Sequence, residues 1–110
     1  MTFYHVTLSK NVPKILDIGL LPRIGYYAYK MHEKRRAVWM FANAGDALEM
    51  IPAWLEPIYG SKLTILEVNL PEKFPVNTDC DYDVFTYKRI PARCVSVFRQ
   101  YSKELKPYEL

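Results

Sequence analysis

The sequence predicts an α+β domain with mainly antiparallel strands. Helix-like patterns lie in the first half of the chain and strand-like patterns dominate the second. That segregation favours α+β over a doubly wound parallel sheet. The first and last strand segments alternate with period two. Turn residues separate the segments at short intervals: Gly19 to Pro22, Gly60-Ser61, Pro71 and Pro91. At 110 residues the chain is expected to be a single domain, 1–110, with one core and no need of staples.

Phe3 to Thr7 reads as the first strand, with Tyr4 and Val6 on one face and Phe3, His5 and Thr7 on the other. Ser9 to Gly19 reads as a short helix. Ser9 is placed to cap it, and Pro13 sits in the first turn, where a missing amide hydrogen costs little. Val12, Ile15 and Leu16 form its core stripe, and Gly19 stops it. Leu20 and Leu21 are expected to plug the core. Arg23 to Arg36 interleaves aromatics with bases without a period, and reads as a loop.

Ala37 to Phe41 is the next strand. Asn43 caps a helix starting near Ala44, with Asp46 at the third helical position, where the dipole favours a carboxylate. Ala47, Leu48, Met50 and Ile51 make its apolar face, and Pro52 kinks or ends it. Lys62 to Leu70 is the clearest strand, Glu72 to Asp83 a polar connection, and Val84 to Ile90 and Arg93 to Tyr101 the last strands. The charged tail 102–110 is expected to fray.

Composition narrows the function classes. Nine Tyr, five Phe and two Trp suit a stacking surface as well as a β-rich core. A formal charge of +3 permits an anionic ligand without by itself indicating nucleic-acid binding. Cys80 and Cys94 form no closely spaced pair. With only His5 and His32 to join them, no metal site is expected. No apolar run reaches membrane-spanning length and no signal-peptide pattern opens the chain, so the expectation is a cytoplasmic protein with reduced thiols and no membrane partner.

Two groups of residues carry chemistry. His5 and Thr7 share a strand face, and can offer hydrogen bonds to a ribose or an amide in a cleft; the alternative is a satisfied structural histidine. In the loop, Tyr26 or Tyr27 could stack on a ring, and Lys30, Lys34, Arg35 and Arg36 could meet phosphates; the alternative is a solvated basic loop.

Several short motifs, in this order, resemble the ADP-ribosyltransferase fold in its histidine-type form. They are Tyr4-His5-Val6-Thr7, the helix ending in Gly19-Leu20 with Pro22, Val38-Trp39-Met40-Phe41-Ala42-Asn43 leading into a helix with Ala47, and the late Asp81-Tyr82-Asp83-Val84-Phe85. The resemblance implies split antiparallel β-sheets with one or two short helices, and NAD as cofactor. It implies that His5 bonds the ribose of the adenosine half and that Thr7 supports the nicotinamide side. The stacking ring would come from Tyr26 or Tyr27, or from the strand Val38 to Phe41, where Met40 is the closest matching position with Trp39 and Phe41 beside it; Arg35 and Arg36 are further candidate cofactor contacts. The catalytic acid, which stabilises positive charge as the glycosidic bond breaks, falls on Asp81, with Asp83 and Glu67 as alternatives.

The implied activity is ADP-ribose transfer from NAD to a protein or nucleic-acid acceptor. The alternatives are a catalytically inactive binding or inhibitor module of the same fold, and a nucleic-acid-binding or RNA 2'-phosphotransferase-like protein.

Overall fold

A computed structural model describes residues 1–23, 36–78 and 83–105. Their strands are β1 (Thr2–Leu8), β2 (Val38–Phe41), β3 (Leu63–Asn69), β4 (Asn77–Thr78), β5 (Asp83–Thr86) and β6 (Val95–Gln100); their helices are α1 (Val12–Ile18), α2 (Ala44–Met50) and α3 (Glu56–Tyr59). The six strands form one antiparallel sheet in the order β4-β5-β2-β1-β3-β6. The α+β class with antiparallel pairing is therefore as expected. The expectation of two separate sheets is corrected to one sheet with a weak seam. β1 is in register with β3 along its whole length, from Thr2 opposite Asn69 to Leu8 opposite Leu63, but with β2 only at Tyr4 opposite Phe41.

The sheet is covered on both faces. On the first face, Leu20, Val38, Met40, Leu66, Val68, Val84, Ile90 and Val95 form a buried core against which Phe3, Val12 and Ile15 pack. On the second, Ala47 and Ile51 meet Leu63 and Ile65, with Tyr4, Val6, Leu8 and Phe41 around them. Period-two alternation along β1 and β2 produces this division: Tyr4, Val6 and Phe41 go one way, Val38 and Met40 the other.

Helix α1 has a different start from the one expected. Ser9 does not cap it; a 3-10 turn, Ser9–Asn11, precedes it, and the Ser9 hydroxyl pairs with that of Thr64 at 2.8 Å. Pro13 does lie in the first turn and Gly19 does end it, its amide donating to the Ile15 carbonyl at 2.8 Å. Gly19 has φ +88, and a Cβ there would collide with the Ile90 carbonyl oxygen. The close approach lets Leu20 and Ile90 exchange two backbone hydrogen bonds of 2.9 Å, and Arg89 donates to the Ile18 carbonyl through Nε at 3.1 Å and Nη2 at 2.5 Å. A cation on the last carbonyls suits the helix dipole. Val12 and Ile15 face the core, but Leu16 is exposed, and of the two leucines after the helix only Leu20 is buried.

Helix α2 starts as the sequence indicates. Asn43 Oδ1 accepts from the Asp46 amide at 2.8 Å, and Asn43 Nδ2 donates to the Asp46 carboxylate at 2.9 Å. At Pro52 the backbone widens into a π-helical turn, Ile51–Leu55, before α3, the kind of irregularity a missing amide hydrogen promotes. β5 is shorter than the predicted strand, because the chain turns after Thr86 and Ile90 bridges to Leu20 instead. The two-residue β4 falls inside the segment expected to be a plain connection.

Beyond β6, Tyr101 donates to Glu56 at 2.8 Å and Lys103 pairs with the same carboxylate at 3.1 Å. Part of the predicted frayed tail is thus tied to α3.

Candidate functional site

The seam between β1 and β2 holds the candidate site. Where their register lapses, the His5 ring reaches across and its Nδ1 lies 2.6 Å from the Trp39 carbonyl oxygen. A carbonyl only accepts, so Nδ1 carries the hydrogen. Burial lowers the pKa of His5 below its ordinary value, the bond to the Trp39 carbonyl acting against it more weakly. The ring is therefore neutral near pH 7, which leaves Nε2 as a lone-pair acceptor.

His5 and Thr7 line a cavity of about 310 Å³ between the sheet and α1. The alternation of β1 places both on the face that α1 covers, as the sequence indicated. Asn11, Lys14, Ile15 and Ile18 form the α1 wall, spaced so that one stripe of the helix faces β1. Leu21, Arg23 and Ala37 border the cavity on another side. Arg23 and Ala37 hold each other by two backbone hydrogen bonds, 3.0 and 3.1 Å, which fix this edge. Among the described residues no carboxylate lines the cavity.

The sequence-predicted residues divide into three groups. His5 and Thr7 are brought together. Phe41 is carried away from them into the core of the second face, beside Tyr4. Glu67 stands opposite Tyr4 in the β1–β3 register, one step out of phase with His5, so alternation turns it from the cavity. Met40 is 1% exposed within the first core and presents no ring or edge to a ligand. Arg36 is exposed and outside the cavity lining. Asp83 opens β5 in register with Phe41. Tyr26, Tyr27, Lys30, Lys34, Arg35 and Asp81 lie outside the described residues, as do His32 and Cys80.

Sequence reasoning missed Asn11, Lys14 and Arg23. The first two were legible as helix neighbours of Ile15 and Ile18 at spacings of three and four, but nothing in the sequence says that this stripe borders a cavity.

A larger hollow of about 570 Å³, on the second face, is bounded by Leu48, Glu49, Pro52, Glu56, Tyr101, Lys103 and Leu105. Three of its polar groups, Glu56, Tyr101 and Lys103, bind one another. The bonds from Tyr101 and Lys103 hold the Glu56 carboxyl below its usual pKa, and burial with the Glu56 contact pushes the Tyr101 phenol up to about 12. This hollow offers fewer free partners than the His5 cavity. Among the described residues no group of His, Cys, Asp or Glu could hold a metal ion, and no helix is long and apolar enough to cross a membrane. Comparison with protein-family models, with curated proteins and with solved structures finds no match to this chain.

Proposed function

We propose that the chain is a small NAD-dependent ADP-ribosyltransferase acting on a protein or nucleic-acid acceptor, with the His5 cavity as its NAD site. One observation carries the reading: a neutral imidazole with an Nε2 lone pair lies beside the Thr7 hydroxyl in a cavity whose described lining holds Lys14 and Arg23 and no carboxylate. Ribose hydroxyls would donate to Nε2, and Thr7 can donate or accept beside it. The cations suit phosphates. At about 310 Å³ the cavity is at the lower end of ligand sites, so it suits one ribosyl half of the dinucleotide.

NAD would supply the glycosidic bond that breaks and the ADP-ribose that moves. The chain would supply orientation through His5 and Thr7, and a carboxylate facing the charge that develops on the ribose. In this reading that carboxylate is Asp81, two residues before β5, the strand paired with β2.

A second reading is a catalytically inactive binding module of the same fold. It is favoured by the burial of Met40, at the strand position closest to where the resemblance expects a stacking ring.

Titration calorimetry with NAD and a non-hydrolysable analogue, beside a nicotinamide-release assay, tests both. The transferase binds NAD and releases nicotinamide. His5→Ala should weaken NAD binding by about tenfold, the worth of one hydrogen bond. Binding without release in the presence of any acceptor tested would select the inactive module. No binding at all would sink the NAD reading.

A further inference from the structure

We infer that Lys14 and Arg23 form an anion clamp on the His5 cavity, and that the cavity by itself takes a nucleoside 5'-phosphate. The inference rests on the cavity being a nucleotide site and adds the group that sets its affinity.

The two cations come from separate elements. Lys14 lies on the α1 stripe with Asn11, Ile15 and Ile18; Arg23 follows the turn after α1, its backbone fixed to Ala37. Neither side chain forms an ion pair among the described residues. Asp17, one helical turn from Lys14, is exposed and outside the lining. Arg89, the next cation along, is engaged with the Ile18 carbonyl. Two like charges lining one cavity, without an ion pair among the described residues, favour an anion there. In the same lining, the His5 Nε2 acceptor and the Thr7 hydroxyl call for a hydroxyl-bearing group. A ligand with hydroxyls at one end and a dianion at the other, small enough for about 310 Å³, is a ribose carrying a 5'-phosphate.

The test is calorimetric titration with adenosine and with AMP. The proteins are the parent, His5→Ala, the double variant Lys14→Ala/Arg23→Ala, and a control, Lys62→Ala/Lys73→Ala, that removes the same charge from exposed positions away from the cavity. The altered lysines and Arg23 are exposed, so those variants keep the core intact; circular dichroism confirms their fold. The parent should bind AMP at least tenfold more tightly than adenosine, and less so as salt rises. The double variant should lose that preference while adenosine affinity changes less than twofold, and the control should keep it. His5→Ala should weaken both ligands alike. A preference that survives in the double variant, or is lost equally in the control, overturns the clamp. Equal binding of adenosine and AMP by the parent overturns the clamp but leaves the nucleoside site standing. If the parent binds neither adenosine, AMP nor NAD, the clamp and the nucleotide reading fall together.

Discussion

His5 Nδ1 meets the Trp39 carbonyl at 2.6 Å just past Tyr4 and Phe41, the registered pair that joins β1 to β2. A side chain thus holds a main-chain acceptor at the seam where the ladder has stopped. The same bond fixes the ring's orientation and tautomer, so the seam and the Nε2 acceptor have one cause. Beyond this point the first-face core is interrupted by polar side chains, His5 and Thr7, which border the cavity with α1.

Burial of the His5 ring makes the protein acid-sensitive in a defined direction. The His5 pKa is lowered in the folded state, so between that value and the ordinary 6.5 the unfolded chain binds the extra proton. The stability tied to the neutral ring is complete above about pH 6.5 and is lost as pH falls below it. His5→Gln keeps a donor for the Trp39 carbonyl but does not titrate. Thermal melts from pH 8 to pH 5 should therefore show the parent losing more stability than His5→Gln. Parallel curves would mean that the ring is not held neutral. NAD affinity should fall over the same range, since a protonated ring has no acceptor to offer.

The two helix-ending glycines should respond differently to alanine. Gly19 and Gly60 share almost the same backbone, φ 88 and ψ −172 against φ 83 and ψ −175. That region is essentially restricted to glycine, and a side chain there costs about 1–3 kcal/mol. A Cβ at Gly60 meets nothing within 4 Å, whereas at Gly19 it meets the Ile90 carbonyl and the Ala92 amide. Gly60→Ala should cost only the strain. Gly19→Ala should cost clearly more, because the Leu20–Ile90 bridge must move. Equal loss in urea unfolding of the two variants would show that the close approach is not rigid.

Tyr101 should ionise later than an ordinary tyrosine. Its raised pKa, about 12, means that the protonated phenol contributes stability fully below the ordinary value of 10, and that this is lost as pH rises through about 12. Tyrosinate absorbance should show a late component in the parent that Tyr101→Phe lacks. The variant should also melt at a lower temperature at neutral pH, having lost the hydrogen bond that ties the chain beyond β6 to Glu56. An unchanged titration would mean that the phenol is not engaged in solution.

What could be read in the sequence depended on range. Local chemistry was legible: the Asn43–Asp46 cap, the stop at Gly19, and the shared face of His5 and Thr7 follow from residues within one element. Features that need a partner elsewhere were not. Leu16 fits the apolar period of α1 as well as Ile15 does, but the sheet covers one side of the helix only. Lys14 and Arg23 have the composition of ordinary solvated charges until folding sets them around a cavity. Phe41 is close to Trp39 in sequence but belongs to the second core. Ser9 has the chemistry of a cap, and Thr64, distant in sequence, takes its hydroxyl instead.

The position of the catalytic acid gives the sharpest test of the transferase proposal. Among the described residues no carboxylate lines the cavity, so the proposal turns on the acids the sequence points to. Glu67 is in phase with Tyr4 and out of phase with His5, and is half-buried on the second face. Glu67→Gln should therefore leave nicotinamide release within about twofold of the parent. Asp81→Asn should lower release by about a hundred- to a thousandfold with NAD affinity nearly unchanged, because a carboxylate aimed at developing charge acts mainly in the transition state. Asp83→Asn separates the remaining alternative. A large loss there, with Asp81→Asn active, would move the acid to the first residue of β5 and keep the transferase. If all three variants release nicotinamide like the parent, none of the acids the sequence points to performs the chemistry, and the assignment of the acid fails while NAD cleavage stands.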